Sequence, residues 1–169
     1  MRITELLDKK YDVSWNGGYN ANFVTRNNRT GRIEFEYMDD DNPNNMTYIQ
    51  FEIDGETGIT KGGDALTIFG TVLSAIHEFL SKNPSKIITM TSEERSRTSL
   101  YRRLANRLGF VEVPWDSYLE QSQYEGKLPL MPNMDDDDGW LIFVTPDLKQ
   151  QMFPVIDYSQ IHLGLLPNS

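Results

Sequence analysis

The chain has no cysteine among its 169 residues. Disulfides, thiolate metal sites and cysteine nucleophiles are therefore excluded. Histidine is nearly as scarce, because only His77 and His162 are present, so a histidine-rich metal site is excluded as well. No apolar run approaches the roughly 20 residues that a membrane-spanning helix needs, and residues 1–8 lack the apolar stretch of a signal peptide. We expect a cytoplasmic protein with no metal and no membrane partner.

Positive charge is also in short supply, and it is concentrated in one segment. The formal net charge is −9. Residues 59–110 nevertheless contain eight basic and four acidic side chains, so this segment is +4 and the remainder is −13. The asymmetry predicts a local anion-binding face on an acidic protein. It argues against direct binding of nucleic acid, which usually needs a large basic surface, and it permits the alternative of an acidic DNA mimic.

Hydrophobic periodicity predicts alternating strands first and helices later. Apolar and polar residues alternate or cluster as in β-strands over residues 11–15, 23–26, 32–38, 46–53, 86–91, 110–113 and 140–144. Helical spacing covers residues 1–10, residues 66–80 with a stripe that starts at Leu66, and a segment from Ser92 or Ser96 to Leu108. We predict a long loop over residues 115–138 and a tail over 146–169 that docks on another surface.

A glycine loop joins the fourth strand to the apolar helix. Gly62 and Gly63 let backbone amides approach a ligand closely, and the first-turn amides of a helix lack partners within the helix. This pattern predicts a phosphate site. The alternative is that the glycines only make a tight turn and that Asp64 caps the helix.

Two motifs resemble the GNAT (Gcn5-related N-acetyltransferase) family. Residues 60–65, Thr-Lys-Gly-Gly-Asp-Ala, match the Gln/Arg-x-x-Gly-x-Gly/Ala loop of that family at Gly63 and Ala65, while Thr60 departs from it. Residues 100–110 begin with Leu-Tyr and end with Gly-Phe, as does the second family motif, with about one helical turn more between them. The resemblance covers roughly residues 20–145.

The resemblance implies an α+β fold with three α/β-like layers. A mixed, mostly antiparallel sheet of six or seven strands would have helices on both faces. Residues 1–145 would form one GNAT-like domain that includes the acidic loop 115–138, and residues 146–169 would form the docking tail.

The resemblance also implies an acetyl-CoA site and names its residues. Backbone amides of the loop would hold the pyrophosphate, and a nearby cation would neutralise it; the residues concerned are Lys61, Gly62, Gly63, Asp64, Ala65, Arg97 and Arg102. Tyr101 would be the general acid that protonates the departing thiolate, and Glu52 would be the general base. The alternatives are a core aromatic residue at Tyr101 and an exposed strand residue at Glu52.

Residues 59–101 also look like part of small tailed-bacteriophage proteins with no defined activity. The leading hypothesis is a degenerate, non-catalytic GNAT-like module that binds a host or phage protein, in the host cytoplasm or in the virion. Four departures from the family favour this hypothesis. Thr60 replaces the Gln or Arg of the loop motif, and the Asp64 carboxylate would compete with a phosphate for the amides at the helix start. The second motif is too long, and no residue is clearly the general base. The alternatives are an acetyl-CoA-dependent N-acetyltransferase that acts on a cationic amine or protein, and the acidic DNA mimic.

Overall fold

The computed structural model describes residues 10–38, 44–53, 63–91, 95–118, 120 and 140–152, with only the backbone described at 95–97. Its strands are β1 (Ser14–Asn16), β2 (Asn20–Val24), β3 (Thr30–Met38), β4 (Met46–Ile53), β5 (Ile87–Thr91), β6 (Val111–Val113) and β7 (Trp140–Val144). Its helices are α1 (Ala65–Lys82), α2 (Arg95–Arg107) and α3 (Pro146–Met152). The predicted helix over residues 1–10 lies almost wholly outside the described residues.

The seven strands form one mixed sheet in the order β1-β2-β3-β4-β5-β7-β6. Strands β1 to β4 pair antiparallel in sequence order, and β7 pairs antiparallel with both β5 and β6. Strands β4 and β5 pair parallel, which requires a crossover connection, and α1 provides it. The predicted α+β class and the predicted mixed, mostly antiparallel sheet of six or seven strands are therefore confirmed.

Alternation along β3 and β4 sets the two faces of the sheet. In the β3–β4 register Ile33 pairs with Phe51 and Phe35 with Ile49, and all four side chains are buried on the face that α1 covers. Their sequence neighbours point to the opposite face, because successive strand residues alternate. The period-2 pattern of the sequence arises from this arrangement.

Helix α1 runs across the sheet as its apolar spacing predicts. Phe79 is 2% exposed and stacks on Phe35 at 4.2 Å between ring centroids. The helix ends at the Asn83–Pro84 pair, where Asn83 donates its backbone amide to the Phe79 carbonyl. The prediction that the buried stripe starts at Leu66 is wrong, since Leu66 is 47% exposed in the first turn.

A second core cluster lies on the other face of the sheet. Its buried residues come from β4, β5, β6 and β7 together with Tyr118 and with Leu148 and Met152 of α3. Consecutive residues of β7 divide between the clusters, since Ile142 belongs to this one and Phe143 to the first. Helices α1 and α2 therefore cover one face and α3 covers part of the other, so the prediction of helices on both faces is confirmed.

Two segments that had no predicted regular structure contain helix. Residues 115–118 are helical, and Tyr118 is fully buried there. The predicted tail begins with α3, whose Leu148 docks on the second cluster. Both helical segments are too short for their apolar residues to show a helical periodicity. The described helices include none that is both long and apolar enough for a membrane span.

Candidate functional site

The parallel strands β4 and β5 separate part of the way along their length. Their pairing runs from Met46 with Ile87 to Ile49 with Met90 and stops there. Strand β4 continues to Ile53, which still pairs with Gly31 of β3. Within the described sheet, the last four residues of β4 therefore have a paired strand on one side only. Crevices at the carboxyl ends of parallel strands are common ligand sites in open sheets.

Helix α1 follows β4 in the chain, and its start contacts the β2–β3 turn, at the same end of the sheet as the end of β4. Gly63 has a φ of +73°, in the left-handed region where only glycine is unstrained. Asp64 occupies the N-cap position, and Ala65 is the first helical residue. The first-turn amides of an 18-residue helix have no partners within the helix and attract anions. Lys61 and Gly62 lie outside the described residues.

Asp64 does not cap α1 with its side chain. The residue is 4% exposed, and its side chain makes no cap hydrogen bond. Oδ1 lies 3.2 Å from Arg29 Nη2 in a buried ion pair, and Oδ2 accepts a hydrogen bond from the Tyr11 hydroxyl. The capping alternative is thus wrong for the side chain. The carboxylate therefore leaves the first-turn amides open to a ligand.

The network around Asp64 joins α1 to the turn between β2 and β3. The Arg26 amide donates to the Tyr11 hydroxyl oxygen at 3.2 Å. Burial and the hydrogen bond to Asp64 raise the pKa of Tyr11. A Cβ added to Gly63 would lie 3.0 Å from Arg26 Nη2. The turn therefore brings the Arg26 guanidinium to the start of α1.

The sequence did not predict that Tyr11, Arg26 and Arg29 belong to this site. Tyr11 and Arg29 lie 53 and 35 positions from Asp64, too far for any periodic pattern to link them. The only sequence signal was the pair of arginines in one short turn, Arg26 and Arg29, next to a strand that pairs with β4.

The two predicted catalytic residues point to opposite faces of the sheet. Glu52 lies between the inward-facing Phe51 and Ile53, and its exposed carboxylate pairs with Arg32 at 2.9 Å. Tyr101 is 3% exposed in the core cluster on the α1 face. The structure does not bring Glu52 and Tyr101 together as an acid–base pair.

The predicted phosphate ligand Arg102 is held by β6. Its Nε and Nη2 donate to Glu112 at 2.7 and 3.0 Å. These hydrogen bonds and the negative charge of Glu112 raise the pKa of Arg102. This two-point ion pair links α2 to β6 at the edge of the sheet. The side chain of Arg97 lies outside the described part of α2.

The described residues contain no group of three His, Cys, Asp or Glu side chains that could hold a metal ion. The DNA-mimic hypothesis came from the net charge of −9, and part of that charge, including the acidic runs at 39–41 and 135–138, falls outside the described residues. That hypothesis stays a prediction.

The fold and site define an α+β domain in which two parallel strands separate and the helix that connects them starts from a glycine turn. The chain belongs to the family of unknown function DUF6934, whose family model matches residues 10–110. The matched region contains β1 to β5, α1 and α2, and with them the separation of β4 from β5, Gly63 and the Tyr11–Asp64–Arg29 network. No curated protein matches the chain.

Proposed function

We propose that this protein is a GNAT-like binding module that holds acetyl-CoA or a related acyl-CoA where β4 and β5 separate. The observation that carries the proposal is the parallel pairing that stops at Ile49 and Met90 while β4 continues to Ile53. The GNAT resemblance implies a mostly antiparallel sheet in which the strands before and after the glycine-loop helix separate, with acetyl-CoA in that separation.

The residues at the start of α1 fit a phosphate group. Gly63 leaves open the space that a Cβ would fill next to Arg26, and a guanidinium is well suited to phosphate. The amides of Gly63, Asp64 and Ala65 would hold the pyrophosphate with Arg26, and Lys61, Gly62 and Arg97 remain sequence-based candidates. The bound cofactor would supply an activated acyl group.

Binding without catalysis accounts best for the two predicted catalytic side chains. Glu52 is exposed, its carboxylate is engaged by Arg32, and it lies on the face of the sheet opposite Tyr101. Tyr101 is packed in the core, where an aromatic residue stabilises the fold without further function. In this proposal the protein presents its bound ligand, or its own surface, to a host or phage protein.

Acetyl transfer to a cationic amine is the second candidate. The orientation of Asp64 favours it, because the carboxylate is neutralised by Arg29 and leaves the first-turn amides for a cofactor. Tyr101 would then be the proton donor to the thiolate. A Tyr101→Phe variant that binds acetyl-CoA normally and loses thiol release in the presence of amines would favour transfer.

Calorimetric titration with acetyl-CoA tests the binding proposal. Gly63→Glu adds a carboxylate beside Arg26 and should weaken binding at least tenfold. Gly18→Glu is the matched control, because Gly18 also has a positive φ of +78° but has open space around it. The control adds the same charge and similar backbone strain in the β1–β2 turn, and it should bind like the parent. No saturable binding at millimolar acetyl-CoA would contradict the proposal.

A further inference from the structure

Three aromatic side chains form a row on the face of the sheet opposite α1. The ring centroids of Tyr48 in β4 and Trp140 in β7 are 5.3 Å apart, and the ring planes are inclined at 44°. The ring centroids of Trp140 and Trp115 are 5.9 Å apart, and these planes are inclined at 23°. All three are partly buried residues packed against the second core cluster. We call these three residues the aromatic row.

The aromatic row is fixed beside the separation of β4 and β5. The Tyr48 hydroxyl and Thr91 Oγ1 share a hydrogen bond at 2.8 Å, which links β4 to the end of β5. Gln50 Nε2 donates to the same hydroxyl at 2.5 Å. In the β5–β7 register Trp140 pairs with Thr91. These hydrogen bonds hold the Tyr48 ring next to Trp140 on this face.

The same face carries an excess of negative charge next to the aromatic row. Glu36 pairs with Tyr48 in the β3–β4 register, so their side chains lie side by side. Glu34 and Glu52 occupy the same face further along, and both approach Arg32, at 3.3 and 2.9 Å. Three carboxylates therefore accompany one guanidinium on β3 and β4. Glu36 is the carboxylate of the three that borders Tyr48.

We infer that the aromatic row and Glu36 form a binding site for an alkylammonium cation. Aromatic faces attract cations through the ring quadrupole, and tryptophan does so best. A neighbouring carboxylate adds charge complementarity and disfavours anions. Tyrosine and tryptophan that are partly exposed in a cluster suit recognition, whereas a purely structural cluster could be buried fully. The inference does not depend on acyl-CoA binding, since the site is built from the opposite face of the sheet.

Tryptophan fluorescence offers a direct test, because two of the three tryptophans of the chain belong to the aromatic row. The third, Trp15, stacks on Phe35 on the α1 face. In a Trp15→Phe background, the emission reports Trp115 and Trp140 alone. Titration with spermidine, in the absence of acyl-CoA, should change this emission saturably. Sodium chloride at matched ionic strength should not.

Variants in the same background locate the site. Glu36→Gln should weaken spermidine binding at least threefold, whereas Glu78→Gln, an exposed glutamate of α1, should leave it unchanged. Tyr48→Leu should weaken binding at least fivefold, and Tyr48→Phe, which keeps the ring, should stay within about threefold of the parent. Tyr19→Leu removes an aromatic residue that is 51% exposed elsewhere and should have no effect.

A second arm distinguishes the sources of the cation. In this arm Nα-acetyl-lysine amide replaces spermidine. Tighter binding of the lysine derivative identifies a protein side chain as the ligand, and tighter binding of spermidine identifies a free polyamine. No saturable change with either probe up to about 20 mM would overturn the inference. Equal affinity in the parent and the Glu36→Gln variant would do so as well, and that variant changes only an exposed side chain. Acetyl-CoA calorimetry is separate, so the two proposals can fail independently.

Discussion

The Asp64→Ala substitution tests whether the buried ion pair fixes the start of α1. The Arg29 and Asp64 side chains are 10% and 2% exposed, so removal of the carboxylate leaves a guanidinium in a largely dry environment. Breaking one side of a buried pair typically costs about 3–5 kcal/mol. Asp64 makes no side-chain cap bond, so no capping loss adds to this figure. We expect the free energy of unfolding to fall by about 3 kcal/mol.

Urea unfolding followed by circular dichroism is the assay. With a slope of about 2 kcal/mol/M, this loss lowers the midpoint by about 1.5 M. Glu52→Ala is the matched control, because it breaks the Arg32–Glu52 pair at 2.9 Å between side chains that are 49% and 63% exposed. Exposed pairs contribute only about 0–1 kcal/mol.

The double variant Asp64→Ala, Arg29→Met completes the experiment. It removes both charges, and replacement of a buried pair by apolar groups is often close to neutral. It should therefore recover much of the stability that Asp64→Ala loses. The reasoning is refuted if Asp64→Ala costs no more than Glu52→Ala, or if the double variant is less stable than Asp64→Ala alone.

Three further predictions follow from the core. A Cβ on Gly31 would lie 2.1 Å from Phe23 Cζ, so Gly31→Ala should lower the free energy of unfolding by about 1–3 kcal/mol. Adding Phe23→Leu should restore part of that stability in urea unfolding, and no rescue would contradict the steric cause. Burial raises the pKa of the Tyr118 hydroxyl in the folded protein. The stability that its neutral form contributes is therefore complete below the unfolded pKa of about 10. As the pH rises above that value, this stability falls by up to about 1.4 kcal/mol per pH unit. Tyr118→Phe should flatten stability measured between pH 9 and 11, and an unchanged slope would refute this. Phe79→Ala should cost about 3–5 kcal/mol, and a loss below 1 kcal/mol in thermal unfolding would contradict the packing.

The sequence predicted the long elements because their periodicity is strong. Strand β4 over Met46–Ile53 and strand β7 over Trp140–Val144 have the predicted bounds, and α1 differs by one residue at its start and two at its end. Helix α3 was missed since a seven-residue polar segment has little periodicity, and its two buried residues acquire meaning only against the second cluster.

The site was less predictable, because its contacts join distant parts of the chain. The glycine turn before α1 was visible as Gly62 and Gly63, but the direction of the Asp64 carboxylate depends on Tyr11 and Arg29 from the first hairpins. Arg102 shows the opposite case, since its basic side chain suggested a phosphate ligand and its partner Glu112 emerged only from the packing of α2 on β6.

The most direct test of the acyl-CoA proposal is an NMR titration of the ¹⁵N-labelled protein with acetyl-CoA. The account predicts saturable amide shifts that are largest at Gly63, Asp64 and Ala65 and at residues 50–53 of β4, with little change in β1 or β6. An absence of shifts at millimolar acetyl-CoA, or shifts confined to the Arg102–Glu112 edge, would contradict it.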